Sequence, residues 1–200
     1  MRLKRIVKKF FLITIDLLGV NCLLRRKSNS PIVFFWHGVS NHANLDIEGE
    51  SFPKKLFERQ VAFLAKHYEV ISLDEFSRRY YERCFTNREV VITFDDGYKD
   101  NLTIAAPILK KYGLPFTVFV SAQNIEKQQR FYISIPRLII IGGQLSEVNI
   151  PLMNYKKELH TDVERKVCAH EIEYTIKYYS HLQAKTVAEE LITSIGQDKY

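Results

Sequence analysis

The run Val90-Val91-Ile92-Thr93-Phe94 leads straight into Asp95-Asp96-Gly97-Tyr98. Consecutive apolar and β-branched residues suit a strand buried on both faces, as in parallel sheets covered by helices. Two acids cannot continue such a strand, because burying an unpaired carboxylate costs several kcal/mol. They belong where the strand emerges, which in parallel α/β architectures is the edge that carries active sites. Gly97 allows a sharp turn just beyond them. The stretch reads as a site.

Charge narrows the field of partners. The 200-residue chain has a formal net charge of +6, but residues 1–27 hold eight basic side chains against the single acid Asp16. The rest of the chain is close to balance, so a nucleic-acid face spread across the fold is poorly supported. Cys22, Cys84 and Cys168 stand far apart with no C-x-x-C, which argues against a disulfide framework and against a thiolate zinc site. The length suits one domain with a sizeable core.

Between the basic clusters runs the apolar segment Phe10–Leu24, interrupted by Asp16. Fifteen helical residues span roughly 22 Å, short of the ~30 Å hydrocarbon core. No small-x-small cleavage site follows it; Arg25-Arg26-Lys27 comes instead. An interfacial helix on anionic lipid fits this pattern best, and residues 1–30 are expected to act as a membrane-surface helix or anchor. A helix packed on the domain is the plainer alternative.

Beyond Ser28–Pro31, Ile32–Trp36 reads as a first buried strand that ends in His37-Gly38. Residues 41–51 read as a loop. Pro53 opens a helix with Phe57, Val61, Leu64 and Tyr68 at helical spacing, and Val70-Ile71 is a short strand. Ser72 and Glu75 have capping-box spacing for a helix toward Tyr81. After the motif strand, Leu102 to Tyr112 outlines a helix that Pro107 is expected to kink and Gly113 to cap. Phe116–Val120 is the next strand, which completes a βαβ unit. From Ser121 the rhythm fades, and residues 155–195 read as helical.

Thr93-Phe94-Asp95-Asp96-Gly97-Tyr98 resembles the first motif of the polysaccharide deacetylases, the carbohydrate esterases built on the NodB homology domain. Asn101, Ala106-Pro107-Ile108-Leu109, Tyr112-Gly113 and Pro115–Val120 follow the same pattern, and Trp36-His37-Gly38-Val39-Ser40 resembles the strand end that opens many members. The resemblance covers residues 31 to about 132 and implies the N-terminal part of a distorted β/α barrel, here followed by a helical region over 133–200. It implies metal-dependent hydrolysis of N-acetyl groups on amino-sugar polymers. The residue matching Asp95 is then the general base, and the one matching Asp96 binds a divalent metal, usually zinc. His37, Gly97 and Tyr98 are the site-adjacent residues. The physics suits these roles, because a metal acidifies bound water that a neighbouring carboxylate can deprotonate.

The family's later His-(Ser/Thr)-x-x-His motif is not matched: His160-Thr161 starts it, but Glu164 stands where the second histidine is needed. Its R-x-P-Y, D-x-x-D-W and L-x-H motifs are not matched either. Catalytic zinc takes three protein ligands as a rule, and Asp96 is the one clear candidate, with His37 and His42 as substitutes. The reading is therefore a deacetylase-like half-fold acting on, or merely binding, N-acetylated glycan. A magnesium or phosphate-transfer site is disfavoured, since no D-x-D pattern and no glycine-rich phosphate loop occurs. Open sheet edges in such a half-fold are expected to promote self-association.

Overall fold

The structure, a computed structural model, describes residues 31–41, 46–47, 49, 51–86, 88–127 and 130–194. The expected membrane-surface helix in residues 1–30 and the candidate His42 lie outside these. Among the described residues no helix is long and apolar enough to cross a membrane. The chain forms two compact units. One runs to Phe35 and takes in Arg59–Thr93 and Pro107–Thr117; the other holds Trp36–Glu58, Phe94–Ala106 and the chain from Val118 on.

The elements follow the chain as β1 (Ile32–Trp36), β2 (Gly38–Ser40), β3 (Ser51–Pro53), α1 (Lys54–His67), β4 (Glu69–Val70) and α2 (Leu73–Glu82). Then come β5 (Glu89–Phe94), a π-helical turn (Asn101–Ala105), α3 (Ala106–Lys111), β6 (Thr117–Val118) and α4 (Ala122–Glu126). A second π-helical turn (Arg137–Gly142) precedes β7 (Glu147–Ile150), β8 (Tyr155–Glu158), α5 (Asp162–Ile176) and α6 (His181–Ser194).

The first unit is built on a sheet of order β1-β5-β4, with β6 also pairing β5. β4 and β5 run parallel, Val70 opposite Val90. Every residue of β5 is buried, as its unbroken apolar run requires. The described strands form this four-stranded sheet and two two-stranded ones, an α/β arrangement that does not close into a barrel. β1 departs from expectation. Read as buried, it leaves Ile32 38%, Val33 48%, Phe34 37% and Phe35 62% exposed, and among the described strands it lies at the end of the sheet.

Helix α2 buries none of its residues and is tied down by charge. Ser72 caps it, accepting a hydrogen bond from the Glu75 amide at 3.1 Å. Arg79 bridges Glu69 and Glu75 at 2.6 Å each and reaches Glu89 at 3.0 Å. Glu89 is 1% exposed, and its carboxylate also accepts from the Thr86 amide and hydroxyl and from the Arg88 amide. Burial alone would push this carboxyl up. The Thr86 and other backbone donors, with Arg79, outweigh it and hold the group down at about 2.

The second unit has two parts. Trp36, Phe57 and Phe94 form an aromatic cluster with ring centroids 5.3–6.0 Å apart. β2 pairs parallel with β3, Gly38 opposite Ser51, on either side of the stretch 41–51 that reads as a loop. Farther along, α5 and α6 pack with the β7–β8 hairpin around a core that includes Ile140, Ile150, Ile172 and Leu191. Residues 155–158, expected to be helical, pair antiparallel with 147–150 instead. Asn154 in the left-handed region (φ 48°) turns the chain there, and alternation of Val148 and Ile150 into the core selects a strand. The helix begins only at the Thr161–Glu164 capping box. Pro107 has no N–H for the carbonyl four residues back. The helix ladder widens just before it, with the Ala106 amide reaching Asn101.

Glu89 gives a pH signature. A carboxyl depressed on folding contributes stability that is complete above its unfolded range and is lost as pH falls toward the folded value. Urea unfolding is expected to give level stability above about pH 5 and a decline from about 4.5 toward 2. Glu89→Gln is expected to cost about 1–3 kcal/mol at pH 7 and to flatten that decline; an unchanged acid limb in the variant would refute the assignment.

Candidate functional site

The buried strand β5 ends at Phe94, and the ladder continues one residue further, the Asp95 amide donating to the Trp36 carbonyl at 2.9 Å. On the other side the Phe119 amide donates to Phe94 at 2.8 Å. Trp36 and Phe94, held against Phe57, thus fix the strand ends from which His37 and Asp95 emerge. This matches the expectation that the acids sit where the strand surfaces: Asp95, Asp96, Gly97 and Tyr98 are all half-buried.

The turn itself is strained. Asp96 has φ 72° and Gly97 φ 74°, so two successive residues lie in the left-handed region. Asp tolerates that region better than most residues but at a cost, and such cost recurs at functional sites. The Asp96 carbonyl accepts from the Ser121 amide at 3.4 Å. The helical chain that follows begins at Lys99, so Tyr98, not Asp95 or Asp96, stands directly before it.

His37 Nε2 lies 3.9 Å from Asp96 Oδ2, both partly exposed. Gly38, next to it, is a close-approach position, since a Cβ there would sit 3.1 Å from Asp100 Oδ2 and 3.3 Å from Ser51 Oγ. The sequence-predicted residues therefore converge on one edge, with Asp96 and His37 as neighbours. A divalent metal fits this donor set only in part. One carboxylate and one imidazole stand together, fewer than the three protein ligands of a catalytic zinc. Among the described residues no group of three His, Cys, Asp or Glu side chains converges.

Asp96 opens into a concavity of about 380 Å³, whose near wall is Gly97, Tyr98 and Lys99. Its far wall is Asn124, Ile125, Arg130, Phe131 and Ser134, with the Tyr98 and Phe131 rings 5.9 Å apart. Sequence reasoning missed this second wall. It is built by the short helix α4 and the irregular chain after it, where neither a helix nor a strand period exists to be read. Its one signal was the aromatic and basic pair Arg130-Phe131.

Gly97 and Gly113 both have positive φ, 74° and 65°, but a Cβ on Gly97 would meet Val120 Cγ1 at 2.8 Å while Gly113 faces open space. Gly113→Ala is expected to cost about 1 kcal/mol, and Gly97→Ala at least twice that, by urea unfolding. Equal costs would mean the Asp96-Gly97 turn is not pinned by Val120.

A family model described as polysaccharide deacetylase matches residues 82–192. The chain is 34% identical over 100 residues to YxkH of Bacillus subtilis strain 168, a protein named for polysaccharide deacetylation; the match covers 46% of this chain and 32% of that one. It is 31% identical over 119 residues to a poly-β-1,6-N-acetyl-D-glucosamine N-deacetylase of Staphylococcus aureus, covering 52% and 40%. The chain thus spans 32% and 40% of the length of these two relatives. The solved Streptococcus pyogenes deacetylase PplD, in complex with acetate, aligns over 80% of this chain and 79% of its own at 19% identity and a TM-score of 0.43. With more than half of its residues inside the family model, the chain belongs to the polysaccharide deacetylase family.

Proposed function

We propose that the chain works in the hydrolytic N-deacetylation of amino-sugar polymers, with Asp95 as general base and Asp96 as the carboxylate donor to a divalent metal, zinc in the reading from sequence. The observation that carries this is the pair of adjacent carboxylates at the mouth of a fully buried strand, one of them in a strained turn beside His37. The Staphylococcus aureus relative, named for N-deacetylation of poly-N-acetylglucosamine, supports the substrate class. Because the described residues do not complete a metal centre, the step assigned to this chain is the one its own base performs. Asp95 removes a proton from water as the oxygen adds to the amide carbon. Collapse of the adduct breaks the C–N bond, the nitrogen takes up a proton, and acetate leaves.

The two-donor set favours one alternative, a glycan-binding protein on the same half-fold without catalysis. Acetate release from an N-acetylglucosamine tetramer, with zinc added, separates the two. Wild type is expected to release acetate, and Asp95→Asn to do so about 100-fold more slowly or worse. A rate unchanged in Asp95→Asn sinks the base assignment. Tetramer binding without acetate release by the wild type identifies the alternative.

Partners of a second kind follow from β1. Among the described strands it lies at the end of its sheet, and the exposed side chains of Ile32, Val33, Phe34 and Phe35 offer an apolar surface for association. Light scattering coupled to size exclusion is expected to show self-association that Phe35→Lys reduces. A monomer in both proteins would count against it.

A further inference from the structure

The chain between β2 and β3 leaves the candidate site directly, because β2 begins at Gly38, one residue after His37. Three described residues of that connection meet the helical region farther along. Asp46 pairs with Lys166 of α5 at 2.7 Å. Ile47 packs over Gly142, the end of the second π-helical turn, with its Cδ1 3.7 Å from where a Cβ on that glycine would stand. Gly49 lies against the guanidinium of Arg137, which opens the same turn: a Cβ on Gly49 would overlap Nη1 and stand 2.5 Å from Cζ.

These contacts are unequal. The Asp46–Lys166 pair is half-exposed, and surface pairs of that kind add little. Arg137 is pinned from behind. Its Nε donates to Glu173 Oε2 at 2.6 Å, and Glu173 on α5 is 6% exposed. Without the guanidinium this buried carboxylate would be left with the largely exposed His170, whose Nδ1 is 3.5 Å away. Stranding a buried charge is costly, so Arg137 does not swing aside freely. The planar group therefore ties a buried carboxylate of the helical region to the Gly49 backbone.

We propose that Arg137, fixed by Glu173, is a positioning residue for His37: it seats Gly49 and so holds the connection into which β2 runs, and β2 begins beside the imidazole. Gly49 is the socket, since any side chain there would occupy the space of the guanidinium. At the other end of β2, Gly38 is backed closely by Asp100 Oδ2 and Ser51 Oγ, which leaves the strand little slack to absorb a shift of the connection. The helical region thus helps to set the distance from His37 to Asp96. The role rests on the reading of these two residues as neighbours in a deacetylase site and adds what keeps them so.

Hydrogen exchange on the full chain, followed by mass spectrometry, tests this at two places: the backbone amides of β2 and β3, and the imidazole C2–H of His37. Arg137→Gln is expected to speed the amides about tenfold and the His37 C2–H severalfold, with the β5 amides keeping their wild-type rates. Gly49→Ala puts a methyl group where the guanidinium lies and is expected to do the same. In the Arg137→Gln background that methyl group is expected to change nothing further, because its effect comes from the contact already removed. Unchanged exchange in both single variants, or additive effects in the double variant, overturns the anchoring. Faster β2 and β3 amides with an unaltered His37 C2–H overturn the positioning role, and so does an equal rise in the β5 amides, which marks a general loss of stability. If Arg137→Gln does not fold, Gly49→Ala decides between these outcomes by itself. Exchange is read without turnover, so a chain that releases no acetate counts against the deacetylase reading alone.

Discussion

Everything at the candidate site depends on an unpaired carboxylate being too costly to bury. β5 is closed to water along its whole length, and its one acid, Glu89 at the start, is accommodated only because two amides, a hydroxyl and Arg79 converge on it. Asp95 and Asp96 follow directly after its end and are half-buried, where water reaches them. The aromatic cluster of Trp36, Phe57 and Phe94 then fixes where it ends. Because Trp36 is followed by His37 and Phe94 by Asp95, packing three rings also brings an imidazole within 3.9 Å of Asp96. Core packing and site geometry are one fact here.

The turn that follows is where local preference is overridden. An aspartate with φ 72° is uncommon, and placing it before a glycine with φ 74° bends the chain within two residues. Val120 and Ile125 fill the space a side chain on Gly97 would need. The strain keeps Asp96 on the concavity wall, where a relaxed, extended backbone would carry it away with the strand direction.

Much of this was legible in the sequence, for identifiable reasons. The β5 run, the acids at its end, the Ser72 cap and the Gly113 C-cap, whose left-handed backbone lets Leu114 donate back to Leu109, each follow from a rule acting within a few residues. What failed needed distant information. That β1 is an edge strand depends on sheet order, not on its own apolar residues. That Tyr155–Glu158 is a strand depends on β7 lying opposite. Tyr174 and Tyr178 are exposed and hydrogen-bond to each other at 3.1 Å, because the buried face of α5 is set by Cys168, Ile172 and Ile176. The second wall of the concavity has no period at all.

Charge distribution separates two properties that the net value of +6 merges. The basic excess in residues 1–27 is a feature of one terminal segment, suited to acting at a surface. Lys99 and Arg130 line opposite walls of one concavity, in a chain whose residues beyond 27 are nearly neutral overall. A long-range field from a balanced domain is weak and further damped by salt within about 8 Å. Charges that line the concavity therefore act by contact, and the bulk charge of the chain adds little to them.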